Sequence, residues 1–143
     1  MRRIVALYGP PGSGKSTVVE LAKLQGVEAH DAESFGASHA ERVDGLKRAL
    51  AGTDEGLVLI GAADLAPEEF PPGTELVLLL PPAAEHRRRV LNRGDARPHK
   101  GLRHAQQVHG EHTEMRHRFD IVVDYECSPE AVVAIIAKGG SHV

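Results

Sequence analysis

The chain has 143 residues, long enough for one domain with a real core, and its 41% hydrophobic and 26% charged content excludes a disordered or fibrous class. A formal charge of -3 weighs against nucleic acid as a partner, at least for a chain whose main task is coating it. A single cysteine, Cys127, excludes an internal disulfide and suits a reducing compartment; the apolar run at residues 4–8 is too short to be a signal-peptide core or to span a membrane, so a cytoplasmic protein without membrane contact is expected.

Five apolar runs of strand length follow one another along the chain: residues 3–8, 26–30, 57–61, 75–80 and 119–124. Several are continuous in Val, Ile and Leu, the pattern of strands covered on both faces. Helical spacing fills the intervals. Residues 15–24 place Val18, Leu21, Ala22 and Leu24 near one face, and residues 39–50 repeat Val43, Leu46 and Leu50 at spacings of three and four. Pro82 suits the first turn of a helix over 82–92; Leu102, Ala105, Val108 and Met115 mark another over 102–116. The last helix begins at Ser128-Pro129-Glu130 and stops at Gly139-Gly140. Between 62 and 74, Pro67, Pro71, Pro72 and Gly73 leave room for little more than a turn of helix. Alternating strand and helix predict one α/β domain over 1–143, with right-handed crossovers and a parallel sheet between helical layers. Ligands of such sheets bind beyond the carboxyl ends of the strands.

The first strand runs into Gly9-Pro10-Pro11-Gly12-Ser13-Gly14-Lys15-Ser16-Thr17, and a helix leads out. A glycine, four residues, then Gly-Lys-Ser is the Walker A pattern, and strand-in, helix-out is its proper context. The glycines let the backbone curl so that successive amides point at phosphate oxygens, and the helix adds the positive end of its dipole. The nine residues Gly9 to Thr17 are therefore the expected phosphate site for a nucleoside triphosphate, ATP, with Lys15 bridging the β- and γ-phosphates and Ser16 ligating Mg²⁺.

Beyond this loop the chain resembles the small-molecule kinase branch of P-loop proteins: nucleoside monophosphate, shikimate and gluconate kinases. His30-Asp31-Ala32-Glu33 after the second strand is similar to the Asp-x-Asp of shikimate and gluconate kinases. Asn92-Arg93-Gly94-Asp95-Ala96-Arg97-Pro98 resembles their arginine-bearing lid, and residues 118–124 followed by Ser128-Pro129-Glu130 resemble their last strand, adenine-side loop and last helix. The resemblance covers nearly the whole chain in order. It implies a P-loop three-layer fold with strand order 2-3-1-4-5, a short lid at about 93–101, and a reduced acceptor-binding segment at 31–56. It gives Asp31 a metal role beside Ser16, and Glu33 a role toward the acceptor. The alternative for Asp31 is a helix cap. Glu in place of the second Asp bears on acceptor size. Asp64, after the third strand, is either a metal-associated acid or a cap.

Residues 87–103 hold seven Lys or Arg against one acid, Asp95. Arginines delivered by a closing arm stabilise charge on a transferring phosphoryl group, and Arg93 and Arg97, flanking Gly94, are the candidates. Arg87, Arg88 and Arg89 are adjacent and cannot all face one ligand; Arg89 is placed to pair with Glu85. Arg42 is a candidate for an anionic acceptor. His109 and His112 share a helix face, which reads either as a solvated, titratable surface or as a metal pair. The expected activity is transfer of a γ-phosphoryl group to a small-molecule acceptor. The alternatives are a nucleotide hydrolase or switch with a protein partner, and a kinase of nucleic-acid ends; few interleaved aromatics weigh against the last.

Overall fold

The computed structural model describes residues 2–10, 13–93, 102–124 and 127–138, and within these not the side chains of Arg89, Val90, Asn92, Arg93, Leu102, His104 and Ala105. Strands β1 (Arg2–Tyr8), β2 (Glu28–Asp31), β3 (Gly56–Gly61), β4 (Glu75–Leu79) and β5 (Ile121–Val123) form one sheet in the order β2-β3-β1-β4-β5. Every pairing is parallel. Helices α1 (Lys15–Leu24), α2 (His39–Ala51), α3 (Ala83–Arg93), α4 (Leu102–Met115) and α5 (Pro129–Lys138) lie between and around the strands. This is the three-layer arrangement and strand order expected.

Side-chain alternation along β1 divides the core. Val5 and Leu7 point into the layer that holds Val18, Val19 and Ala22 of α1 and Val132, Val133 and Ile136 of α5. Ile4, Ala6 and Tyr8 point the other way, toward Leu46 and Leu50 of α2 and Phe70. Val5, Ala6 and Leu7 are fully buried, and each large aliphatic side chain so covered contributes about 1.5–3 kcal/mol of transfer free energy. β1 is the central strand, with helices on both faces, and the loop leaving it inherits a rigid base.

Some boundaries shift from the sequence expectation for local reasons. Gly26 sits at φ 86°, and the Val27 N–H returns to the carbonyl of Ala22, so this pair closes α1 and β2 begins at Glu28. The 119–124 run yields only three strand residues, because a 3₁₀ turn holds Arg116–Arg118 and Asp120 serves as a clamp: its N–H donates to Leu76 O at 2.8 Å and its carboxylate accepts from Leu76 N–H at 2.8 Å.

Candidate active site

The loop between β1 and α1 is built around two glycines. Gly14 takes φ 96°, a left-handed conformation that favours glycine, and starts α1. A Cβ on Gly9 would stand 2.5 Å from Ser13 Oγ and 2.6 Å from the Leu79 carbonyl oxygen, so the loop closes against β4 only where there is no side chain. The Ser13 N–H donates to Pro10 O at 3.0 Å, which curls the chain. Lys15 lies folded across the loop, its ammonium donating to the carbonyls of Gly9 and Pro10. No acid stands in the first turn of α1, so its positive end meets the loop uncompensated. Pro11 and Gly12 lie outside the described residues.

Asp31 ends β2 beside this loop. Its Oδ2 accepts a hydrogen bond from Ser16 Oγ at 3.3 Å, and its Oδ1 accepts from the Glu33 N–H at 3.1 Å, capping the 3₁₀ turn Ala32–Phe35. Cap and partner of Ser16 are thus two oxygens of one carboxylate, and the cap reading of Asp31 is what the geometry shows. Gly61 is paired with Asp31 in the sheet register, and a Cβ there would press on Val19 at 3.3 Å. Glu33 is exposed on the turn beyond. A hydroxyl and a carboxylate this close, one at a helix start and one at a strand end, are a donor set suited to a hard divalent cation. The crowded Gly9 and left-handed Gly14 are suited to phosphate oxygens approaching backbone amides.

The acid after β3 has a different setting. Ala63 takes φ 52°, and the turn delivers Asp64 to the start of α2. There Asp64 Oδ2 meets His39 Nδ1 at 3.0 Å and the Arg42 guanidinium at 3.1 Å. His39 Nε2 meets Glu69 at 2.7 Å on its other side. These two carboxylates, Asp64 first, hold the His39 imidazole above its ordinary value. Partial burial opposes ionisation of Asp64, but the His39 hydrogen bond and the Arg42 charge outweigh it and hold the carboxyl below its usual range. Arg42 also donates to the carbonyls of Gly36 at 3.1 Å and Ala37 at 3.3 Å. Its guanidinium thus holds Asp64 and two backbone carbonyls. Ser38 caps α2 in a reciprocal box with Glu41.

Helices α3 and α4 stand on either side of the lid expected at about 93–101, of which residues 94–101 lie outside the described residues. Glu85 is taken by Arg88, at 2.6 Å; the side chains of Arg89 and Arg93 are not described, and Gly94 and Arg97 lie outside the described residues. His86 is buried and its ring lies 4.7 Å from that of His109, whose Nε2 donates to Pro81 O at 2.6 Å. His112 Nδ1 bonds the Val108 carbonyl at 2.9 Å. His109 and His112 thus point ring nitrogens at backbone carbonyls, and among the described residues no group of three or more His, Cys, Asp or Glu is arranged around a metal.

Of two cavities, the first borders the loop and the second lies beyond the end of β1. One of about 310 Å³ is lined by Gly14, Thr17, Pro81, Val123, Cys127 and Val132, largely apolar, on the α5 side. The other, about 280 Å³, is lined by Tyr8, Asp64, Leu65, His112, Met115 and Phe119, among others, on the α4 side. Tyr8 donates to Leu65 O at 2.7 Å, and burial pushes its phenol well above the ordinary value. Tyr8 is not a candidate in the sequence, and His112 enters there only as half of a possible metal pair; the fold brings both to the wall of this cavity.

Architecture and loop together define the P-loop kinase fold. Among solved structures, shikimate kinase from Aquifex aeolicus matches with a TM-score of 0.61 at 23% identity over 95% of this chain and 93% of that one. Shikimate kinase from Acinetobacter baumannii in complex with shikimate matches with a TM-score of 0.59 at 19% identity over 94% and 89%. A gluconokinase from Sinorhizobium meliloti matches with a TM-score of 0.62 at 17% identity over 97% and 91%. These proteins are small-molecule kinases, and what they share with this chain is the fold. No family model matches the sequence, and no curated protein matches it. Among the described residues no helix is long and apolar enough to cross a membrane.

Proposed function

We propose that the chain is an ATP- and Mg²⁺-dependent phosphotransferase that moves the γ-phosphoryl group to a hydroxyl or phosphate of a small molecule. The observation that carries this reading is the meeting of Ser16 and Asp31, Oγ to Oδ2 at 3.3 Å, beside a glycine loop that has room for phosphate and not for side chains. The kinase fold of the structural neighbours supports it.

In this reading the backbone N–H groups of the loop from Gly9 to Thr17, apart from the two prolines, and the Lys15 ammonium hold the triphosphate, and the apolar cavity beside Thr17 and Val132 receives the base. Ser16 and Asp31 hold Mg²⁺, which neutralises charge on the phosphate oxygens. Glu33 orients the acceptor, and Arg93 and Arg97 clamp the transferred group from the arm. The chain acts in the cytoplasm.

The test is a γ-phosphate transfer screen over nucleosides, nucleotides, sugar acids and cyclic polyols, with Lys15→Ala as control. We expect a transferred phosphate on one compound class and loss of nearly all turnover in Lys15→Ala with the fold retained. ATP hydrolysis with no acceptor found would favour a hydrolase or switch. No calorimetric heat with any magnesium nucleoside triphosphate would remove the proposal.

A further inference from the structure

A third cavity, of about 370 Å³, lies between the second half of α2 and residues 69–71, next to the first residue of β1. The glycine loop leaves the other end of that strand, roughly 20 Å away at the rise of a strand. The floor of the cavity is Leu46, Leu50 and Phe70, all buried members of the core beneath α2. Such a floor accepts an apolar body and offers a polar one no partner. Arg2, Lys47 and Glu69 stand around it.

These three charges are not equivalent. Both oxygens of Glu69 are engaged, Oε1 by the Ala66 N–H at 2.8 Å and Oε2 by His39 at 2.7 Å. Arg2 donates from Nη1 to the carbonyls of Leu50 at 2.5 Å and Thr53 at 2.8 Å, which closes the end of α2. Those two bonds use both hydrogens of Nη1. The side edge of the guanidinium, Nε and Nη2, has no partner among the described residues, and neither does the Lys47 ammonium. Two positive charges that no acid answers therefore stand over a floor of aliphatic and aromatic carbon. The side edge of a guanidinium presents two parallel N–H groups at the spacing of the oxygens of a carboxylate.

We propose that this cavity is a second ligand site and that it takes a small monocarboxylate with an apolar body, the carboxylate held by Arg2 and Lys47 and the body laid on Leu46, Leu50 and Phe70. A bare anion would leave the floor uncovered, and an uncharged apolar molecule would leave both cations unanswered. The volume is at the lower end of the roughly 300–1,000 Å³ of small-molecule sites, which suits an acid with a single ring or a chain of medium length. The inference does not depend on the kinase reading.

The probe is octanoate, titrated into the isotope-labelled chain and followed by amide shifts, with octanol, octylamine and acetate as comparators. We expect saturable shifts confined to Arg2 and residues 46–51 and 69–71, and a raised melting temperature. Octanol should bind at least about 10-fold more weakly, and acetate and octylamine should not bind. Lys47→Gln should weaken octanoate by about 3- to 10-fold. Ala51 is exposed and lines the cavity, so Ala51→Leu fills it from the surface and should abolish binding with the thermal melt held. Absence of a saturable shift, octanol binding as tightly as octanoate, or octanoate binding unchanged in Ala51→Leu overturns the proposal. A dimer in sedimentation that Ala51→Leu dissociates assigns the cavity to a second copy of the chain and overturns it too. Calorimetry with MgATP decides the kinase reading separately, and its failure leaves this site standing.

Discussion

The Arg42 guanidinium meets the Asp64 carboxylate at 3.1 Å while holding the carbonyls of Gly36 and Ala37, so one side chain fastens the start of α2 to the loop after β3. His39 completes the link, lying between Asp64 and Glu69. Its imidazole is held above the ordinary value by these carboxylates. A raised folded value means the protonated ring stabilises the fold fully below the unfolded pKa of 6.5, and that contribution is lost as pH rises through the folded value. NMR titration of His39 should give a midpoint above 6.5. The urea midpoint should fall as pH is raised through it, and His39→Gln should flatten this part of the profile.

Ser38→Ala removes the acceptor for the Glu41 N–H at 3.2 Å and half of the capping box of α2. The expected cost is about 1 kcal/mol, read as a lower urea midpoint at unchanged slope. Backbone hydrogen bonding at Ser38 chiefly holds the Glu41 carboxyl below its usual value of 4.5. Its contribution is therefore present above pH 4.5 and is lost as pH falls through the folded value, so the wild-type midpoint should decline there more steeply than that of Glu41→Gln.

Asp31→Asn and Asp31→Ala separate the two oxygens of one side chain. Asn keeps an oxygen for the Glu33 N–H, so the cap survives and the melt should stay within about 0.5 kcal/mol of wild type. The anionic oxygen facing Ser16 is gone, and turnover or Mg²⁺ affinity should fall by about 10- to 100-fold. Asp31→Ala should show the same kinetic loss and an additional cost of about 1 kcal/mol from the missing cap. Equal turnover in Asp31→Asn and wild type would remove Asp31 from the metal.

Gly9→Ala places a methyl group against Ser13 Oγ and the Leu79 carbonyl oxygen, one of them backbone that cannot swing aside. The loop must open, with a destabilisation of about 1–3 kcal/mol and loss of nucleotide binding measurable by calorimetry.

Arg97→Ala should depress turnover more than MgATP affinity, because charge on the transferred group develops only on the way to the transition state. Turnover unchanged in this variant would end the clamp role.

The glycine loop after β1 and the five strands were legible because both are local signals: a glycine spacing that few other structures need, and runs of Val, Ile and Leu covered on both faces, such as residues 57–61. Strand order came from resemblance, since no periodicity in β2 states that it pairs with β3. The setting of Asp64 was not legible. Its partners, His39 and Arg42, are more than twenty residues earlier, and the turn that delivers it depends on Ala63 at φ 52°. Arg42 looked available for a ligand because a sequence does not display carbonyls such as those of Gly36 and Ala37. His112 was visible as one of a pair on a helix face, yet its tautomer follows from a bond to its own backbone and its neighbours from the packing of α4 on Tyr8.

The capped turn at Asp31 has a thermodynamic consequence. The carboxylate that answers Ser16 also sets the backbone of Glu33, so anything that draws Oδ2 toward a cation is transmitted to the segment beyond. If the proposed function holds, occupancy on the two sides of that residue is linked, and linkage is reciprocal: the factor by which a nucleotide changes affinity for its co-substrate equals the factor in the opposite direction. In the proposed reading, a dissociation constant measured for either ligand alone differs from the one measured with the other bound.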